Sequence, residues 1–216
     1  MTITPDRPKI YHITHIDNLP SIAASMELIS DANRIAQGIS CSLVGMSTIK
    51  QRRLEEIEVP CHSNTKVGQY VPFYFCPRSI MLYILHMGNH PEITYRDGQS
   101  QIVHLQADFY EVINWADANV VPWAFSNGNA GAFLTAFYND PNQLGEIDWR
   151  AVGARDFRDA KIKEGKQADF LMFDVFPWTL IEKIGTINST IATKVKTTLA
   201  QAEHQPVITI EPDWYF

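Results

Sequence analysis

The sequence predicts an α+β protein whose core is a split, mostly antiparallel β-sheet with surrounding helices. Short strands and helices follow one another without the regular βαβ alternation that predicts a parallel sheet. The chain has 216 residues and 45% hydrophobic content, enough to fill the core of a single domain spanning 1-216. No apolar stretch approaches the roughly 20 residues that a membrane span requires, so we expect a soluble protein without a membrane partner.

The first quarter of the chain predicts one strand and two helices around a long loop. Alternating residues at 9–14 predict the first strand, and Asp17 is expected to cap a short helix. Residues 28–47 are rich in Ser, Gly and Asn and have no hydrophobic period, which predicts a long functional loop. Residues 48–58 are predicted to form a helix that ends before a proline.

The middle of the chain predicts two strands and two helices. Aromatic and β-branched residues at 70–75 predict a strand, and Ser79 is expected to cap the helix that follows. Residues 101–107 read as a buried strand, and the spacing of Ala and Phe at 129–138 predicts an amphipathic helix.

The last quarter begins with a polar approach to a short apolar strand. Residues 168–173 predict this strand, and its polar approach indicates a face open to solvent or ligand. A helix is expected from Pro177, another at 189–202, and a final strand at 207–210. The elements therefore place a cleft beside the strand at 168–173.

Charge narrows the classes of partner. A net charge of −6 excludes a general nucleic-acid coat, whose affinity rests on neutralising phosphates. Basic side chains nevertheless cluster over a short stretch, at Arg150, Arg155, Arg158, Lys161, Lys163 and Lys166. This stretch is either an electropositive groove on an acidic body or a solvated charged loop.

The sequence lacks the usual motifs of metal-binding sites, P-loop proteins and serine hydrolases. No GxxxxGK[ST], GxGxxG or GxSxG segment occurs. His86 and His90 lie four residues apart, but Gly88 breaks the helix between them and no metalloprotease Glu accompanies them. The three cysteines have no metal-knuckle spacing, which favours a reducing compartment. We therefore expect no metal.

Two short segments carry groups that suit a dinucleotide. His12 and Thr14 lie on one face of the first strand, where they could clamp an amide or ribose hydroxyls; the alternative is an ordinary core histidine. Residues 74–79 run from strand into helix and offer stacking faces, an arginine for phosphate and a helix N-terminus. The alternative is an aromatic core strand with a capping serine.

Taken together, the segments resemble the DarT family of DNA ADP-ribosyltransferase toxins. The matching stretches are YHITHIDNLPSI (11–22), IKQRR (49–53), YVPFYFCPRSIMLY (70–83), NGNAGAFLTAFYND (127–140), IDW (147–149), KQADFL (166–171) and PDWYF (212–216). The resemblance implies an ADP-ribosyltransferase-like sheet and NAD as co-substrate. It also implies a target base in single-stranded DNA, thymidine or guanosine, with thymidine favoured.

The resemblance also implies a biological setting and a set of binding residues. The family's toxins are paired with a macrodomain antitoxin, and a cytoplasmic location is expected because NAD and chromosomal DNA are both there. Residues expected to bind NAD are His12, Thr14, Asn18, Tyr74, Arg78, Ser79 and Tyr83. Residues expected to bind DNA are Trp149, Arg150, Arg155, Arg158, Lys161 and Lys166. The loop at 28–47 is expected to close over NAD.

The catalytic assignments concern three positions. Arg52 or Arg53 is expected to assist catalysis, with a surface helix cation as the alternative for each. The resemblance places a catalytic glutamate about half a dozen residues before the KQADFL segment, where this chain has Ala160. An inactive chain is therefore expected, through either an engineered or a natural substitution. Two other functions stay open: a protein- or RNA-directed transferase, and a non-enzymatic module that binds NAD or nucleic acid.

Overall fold

The computed structural model describes residues 3–42, 44–132 and 135–216. In this part of the chain the strands are β1 (Lys9–His15), β2 (Glu27–Ile29), β3 (Tyr70–Tyr74), β4 (Ile102–Asp108), β5 (Trp123–Asn129), β6 (Phe137–Tyr138), β7 (Ala168–Phe173), β8 (Val175–Pro177), β9 (Lys183–Thr186) and β10 (Val207–Ile210). The α-helices are α1 (Leu19–Ser25), α2 (Asp31–Ala36), α3 (Ser47–Glu55), α4 (Ile80–Met87), α5 (Phe109–Ala118), α6 (Trp149–Gly153), α7 (Ala160–Gly165) and α8 (Ser189–Thr198).

Eight of these strands form one sheet in the order β10-β9-β4-β1-β3-β7-β5-β6, and β2 pairs with β8 in a separate ribbon. All pairings are antiparallel except that of β9 with β10. The predicted class, an α+β fold with a mostly antiparallel sheet and surrounding helices, is confirmed.

The sheet opens between β1 and β3. These two strands pair at Tyr11 and Tyr74, whereas β1 pairs with β4 along its full length. Pro72 lies in β3 and has no N–H to donate to a neighbouring strand. Its carbonyl oxygen instead accepts a hydrogen bond from the His12 ring, with 2.8 Å between the two atoms. The His12 side chain thus replaces a backbone hydrogen bond between β1 and β3, and the two strands diverge beyond this point.

The main hydrophobic core includes buried phenylalanines of β3, β5, β7 and the start of α5. Phe73, Phe109, Phe125 and Phe170 are fully buried and pack edge to face with one another or with neighbouring rings. Each buried phenylalanine contributes about 1.5–3 kcal/mol to folding. Since successive residues of a strand point to opposite faces, the packing of Phe170 in this core directs Asp169 to the other face.

Four predictions about helices and loops differ from the structure. The helix expected at 129–138 is absent: β5 ends there and β6 follows at its end, with residues 133 and 134 lying outside the described part. Asn129 and Asn127 explain the difference, because their side chains accept hydrogen bonds from the backbone N–H groups of Gly131 and Ala136. Asparagine competes in this way with helical backbone bonds.

The second difference concerns the loop predicted at 28–47. It contains the end of β2 and the short helix α2, whose first turn is capped by the Ser30 hydroxyl accepting from the Asn33 N–H. Six residues are too few to display a hydrophobic period. Similarly, the polar approach to β7 contains the short helix α7, capped by Asp159. The helix cap predicted at Ser79 is confirmed, since its hydroxyl accepts from the Leu82 N–H. The cap predicted at Asp17 is wrong, because α1 begins after Asn18 and the 3-10 turn before it is capped by His15. The helix expected from Pro177 is also wrong, because residues Trp178–Leu180 form a 3-10 turn of three residues.

Candidate active site

A cavity of about 610 Å³ lies where β1 and β3 diverge. Strands β1, β3 and β7 form its floor, α3 and the start of α4 form its sides, and residues 39–42 and 44–46 cover it. Of the predicted site residues, the cavity brings together His12, Thr14, Asn18, Arg53 and Tyr74. It therefore collects groups from three separate parts of the chain, which are residues 12–18, Arg53 and Tyr74.

His12 is held as a neutral imidazole. Because a carbonyl oxygen only accepts hydrogen bonds, the contact with Pro72 requires the proton on Nδ1. Burial lowers the pKa of His12 below its usual value. The other ring nitrogen, Nε2, therefore carries a lone pair and can accept a hydrogen bond from an amide N–H or a hydroxyl.

Asp169 supplies a buried carboxylate to this cavity. It is 2% exposed, and its Oδ2 lies 3.3 Å from the Arg53 Nη2 and 3.3 Å from the backbone nitrogen of Ala130. Its Oδ1 has no hydrogen-bond partner among the described residues. Burial raises the pKa of Asp169 to about 6, and the Arg53 charge opposes this rise. A buried carboxylate with one unpartnered oxygen thus belongs to the lining of the cavity.

Tyr74 stands beside this carboxylate. It pairs directly with Asp169 across β3 and β7. Burial raises the pKa of the Tyr74 hydroxyl, and the nearby carboxylate raises it further, so the hydroxyl stays protonated and can donate. The floor of the cavity therefore offers a donor and an acceptor side by side.

The structure distinguishes the two arginines of α3. Arg53 lines the cavity and pairs with Asp169. Arg52 points away from it and forms an exposed ion pair with Glu56, one helical turn on. Of the two candidates, Arg53 is the one at the site.

Ala160 is not at the cavity. It is the first residue of α7, is solvent-exposed and is absent from the cavity lining. The assignment of position 160 as the place of the catalytic acid stays a prediction, and the structure does not bring this position together with the other predicted site residues. Among the acids that line the cavity, Asp169 is the one in β7. The assignment followed a sequence offset, whereas the strand geometry directs an acid of β7 itself into the cavity.

Three residues predicted to bind NAD also lie elsewhere. Ser79 is fully buried as the cap of α4. The Arg78 guanidinium lies 4.3 Å from the centre of the Phe216 ring. Tyr83 packs edge to face against the rings of Phe157 and Phe216. These side chains stabilise the junction between α4 and the last residues, and none of them lines the cavity.

Two residues predicted to bind DNA are internal. The Trp149 side chain, 9% exposed, packs on Phe75 and donates its ring N–H to the Leu144 carbonyl. Lys166 is 3% exposed, and its ammonium donates to the Val152 carbonyl. Both side chains therefore have partners inside the protein and are not on the exposed surface.

The other four predicted DNA-binding residues are solvent-exposed. They are Arg150, Arg155, Arg158 and Lys161. Arg155 pairs with Asp213, and Arg158 pairs with Asp156. Such exposed ion pairs contribute little to stability, so these cations stay available to a polyanion.

Sequence reasoning missed two cations of the cavity. Lys50 and Arg34 line it, and both contact the Asp31 carboxylate, Lys50 at 2.8 Å and Arg34 at 3.6 Å. Lys50 lies within the matching segment IKQRR, but neither cation was assigned a role, because the two meet only when α2 packs against α3. Asp169 did leave a signal: it is an acid within the otherwise apolar segment ADFLMF.

A split antiparallel sheet that opens over a cavity with a His-x-Thr strand, a tyrosine and a buried acid–arginine pair defines the ADP-ribosyltransferase class. A family model described as "ssDNA thymidine ADP-ribosyltransferase, DarT" matches residues 11–216. The chain belongs to the DarT family.

Relatives agree with this assignment. A DNA ADP-ribosyl transferase of Thermus aquaticus is 35% identical over 96% of this chain and 88% of its own length. The structure of Thermus sp. 2.9 DarT in complex with ADP-ribosylated ssDNA superposes with a TM-score of 0.88 at 32% identity, covering all of both chains. Its complex with NAD⁺ gives a TM-score of 0.85 at 30% identity over 99% of this chain and all of that chain.

One further relative combines two activities in its name. A DNA ADP-ribosyl transferase-DNA ADP-ribosyl glycohydrolase fusion protein of Thermosipho africanus is 35% identical over 36% of this chain and 19% of its own length. In the described residues of the present protein, no group of three or more His, Cys, Asp or Glu could hold a metal ion. Within the same residues, no helix is long and apolar enough to cross a membrane.

Proposed function

We propose that this protein transfers ADP-ribose from NAD to a thymidine base in single-stranded DNA, and that Asp169 is its catalytic acid. The observation that carries the proposal is the Asp169 carboxylate, buried at the cavity floor with one oxygen free and the other held by Arg53. The Thermus sp. 2.9 relative with this fold is described in complexes with NAD⁺ and with ADP-ribosylated ssDNA.

The cavity matches the parts of NAD. His12 and Thr14 line the cavity, and the His12 Nε2 and the Thr14 hydroxyl have the chemistry that suits the ribose hydroxyls and the nicotinamide amide. Lys50 and Arg34, at the end formed by α2 and α3, supply positive charge for the pyrophosphate. We therefore assign phosphate recognition to these two cations in place of Arg78.

The reaction requires negative charge beside the ribose. The glycosidic bond to nicotinamide breaks with both electrons leaving on nicotinamide, and positive charge develops on the ribose. A ring nitrogen of the base then forms the new bond and loses its proton to Asp169 or to water. An ionised Asp169, fixed in advance by Arg53 and the Ala130 N–H, stabilises the developing charge without reorganisation.

The presence of Asp169 changes the expectation of an inactive chain. The carboxylate expected at position 160 is supplied from β7, so we propose that the chain is active as it stands. Incubation with labelled NAD and a thymidine-containing oligonucleotide tests this directly. Labelled DNA is the expected result, and label absent from DNA at every NAD concentration would contradict the proposal.

The same assay separates the remaining alternatives. A protein- or RNA-directed transferase would share the NAD cavity and would label protein or RNA instead of DNA. A non-enzymatic module would bind NAD and label nothing. The exposed basic residues favour a polyanionic acceptor, and an oligonucleotide in which every thymidine is replaced is expected to stay unlabelled.

Activity is expected to increase with pH through the pKa of Asp169. Burial raises this pKa to about 6, so the carboxyl is mostly protonated below that pH and mostly ionised above it. Since the ionised form is the active one, kcat/KM for NAD should rise about tenfold per unit below pH 6 and level off above it. Initial rates between pH 5 and pH 8 measure this, and a flat profile would contradict the assignment.

DNA binding is expected to depend on the exposed arginines of residues 150–161. Replacing Arg155 and Arg158 with Ala should weaken binding of a single-stranded oligonucleotide and lower the slope of log K against log salt by about 0.7 per lost phosphate contact. Fluorescence anisotropy at several salt concentrations measures both quantities. The control removes two exposed cations from α8, Lys194 and Lys196, and should leave the slope unchanged. Equal slopes in all three proteins would contradict the assignment.

A partner and a location follow from the family. We propose that the protein is the toxin of a toxin–antitoxin pair whose macrodomain antitoxin removes ADP-ribose from DNA. The Thermosipho africanus fusion protein supports this pairing, because its name joins the transferase to a glycohydrolase. The proposed site of action is the cytoplasm, where NAD and chromosomal DNA occur together.

A further inference from the structure

The segment that covers the cavity is attached unevenly to the rest of the protein. This covering segment comprises residues 39–46, of which residue 43 lies outside the described part. At its start, the Ile39 N–H donates to the Arg34 carbonyl. At its end, Val44 and Met46 pack against the hydrophobic cluster that contains Leu82. Both ends are therefore anchored by contacts that do not involve Asn18.

The centre of the covering segment is held by one side chain. The Asn18 amide nitrogen donates to the Ser42 carbonyl at 3.1 Å, and the Ser42 N–H donates to the Asn18 Oδ1 at 2.8 Å. Among the described residues from 40 to 45, Ser42 is the one that forms hydrogen bonds to the body of the protein. Asn18 thus binds both backbone groups of Ser42, as a neighbouring strand would.

The same amide also fixes a group on the cavity floor. The Asn18 nitrogen donates to the Thr14 hydroxyl oxygen at 3.0 Å. Because that oxygen accepts the Asn18 proton, the Thr14 hydroxyl proton stays available for an acceptor in the cavity. The Asn18 side chain therefore orients the Thr14 hydroxyl as a donor and holds the covering segment in position at Ser42.

We propose that Asn18 is a positioning residue for NAD: it holds the covering segment at Ser42 and orients the Thr14 hydroxyl as a donor. Both of its N–H donors and one lone pair of its Oδ1 are used in these three bonds, so we assign its effect to the neighbours it holds and not to donation to NAD. The proposal rests on the proposed function only for the identity of the ligand.

Substitution by Asp tests the proposal with almost no change in shape. Aspartate has no N–H groups, so Asn18→Asp removes both donors and places a carboxylate oxygen against the Ser42 carbonyl. Hydrogen exchange of the covering segment should become at least about tenfold faster without NAD. NAD affinity, measured by calorimetry, should fall about tenfold, which corresponds to two lost neutral hydrogen bonds.

Two further variants serve as controls. Asn18→Ala removes the amide without adding charge and should produce the same two changes. Asn89→Asp adds the same charge at an exposed position outside the cavity and should change neither quantity. Exchange in the central strand β4 should equal wild type in every variant, which distinguishes local release from unfolding.

The steady-state constants separate positioning from chemistry. In the Asn18 variants KM for NAD should rise with kcat reduced less than threefold, because saturating NAD still orders the cover. Unchanged exchange in the covering segment would overturn the proposal, and so would faster exchange with unaltered NAD affinity. If the wild-type protein takes up no NAD, the proposed function fails, and the exchange measurement still decides the role of Asn18.

Discussion

Replacing Asp169 with Asn is expected to lower the transfer of ADP-ribose to DNA about a thousandfold. The substitution keeps the shape of the side chain and removes the negative charge that opposes the cation forming on the ribose. Removing one preorganised electrostatic contact typically costs a factor of 10² to 10³ in kcat. The loss should appear in kcat more than in KM for NAD, because the charge acts mainly in the transition state.

The control for this experiment places a carboxylate at position 160. Ala160→Glu adds an acid at the exposed start of α7, outside the cavity, and should leave the wild-type rate unchanged. The same change should not rescue Asp169→Asn. Asp169→Glu restores a carboxylate with one more methylene and should recover part of the activity. Rescue by a glutamate at position 160 would contradict the role assigned to Asp169.

Replacing Arg53 with Ala is expected to have the second largest effect, a loss of about a hundredfold in kcat/KM at neutral pH. Arg53 fixes one oxygen of Asp169, and its charge keeps the pKa of this buried acid from rising further. Without it the carboxyl is less ionised and less well oriented. The pH at which activity reaches its plateau should therefore move upward.

Arg52 provides a matched control on the same helix. It has the same charge and lies one residue away, but its partner is Glu56 at the surface. Arg52→Ala should change kcat/KM less than twofold and leave the pH profile in place. Arg53→Lys keeps the positive charge but lacks the planar guanidinium, and its kcat/KM should lie between those of wild type and Arg53→Ala. Equal losses for Arg52 and Arg53 would contradict the distinction.

Strand alternation was a reliable guide to the fold, and sequence distance was a poor guide to the site. His12 and Thr14 were predicted to share a strand face, and both line the cavity. The acid was sought before the KQADFL segment, although the alternation of β7 already separates Asp169 from the core residue Phe170. The apolar surroundings of Asp169 were the available signal for a functional acid.

Other parts of the site depended on packing that a sequence does not display. Lys50 and Arg34 converge because α2 meets α3, and α2 is too short to show a period. Tyr83 and Arg78 follow the strand that carries Tyr74, yet the turn into α4 directs them to Phe216. Lys166 belongs to a basic stretch of the sequence, but its ammonium is buried and donates a hydrogen bond to the Val152 carbonyl. Charge patterns alone did not distinguish these cases.

The proline in β3 has a consequence for how the co-substrate enters. Because Pro72 has no amide hydrogen, it cannot donate a backbone hydrogen bond to β1. The gap between β1 and β3 therefore follows from the sequence and exists before NAD binds. NAD binding then has to order only the covering segment and does not have to separate β1 from β3. Nucleotide entry should consequently be limited by encounter and by motion of the cover, with no slow separation of strands.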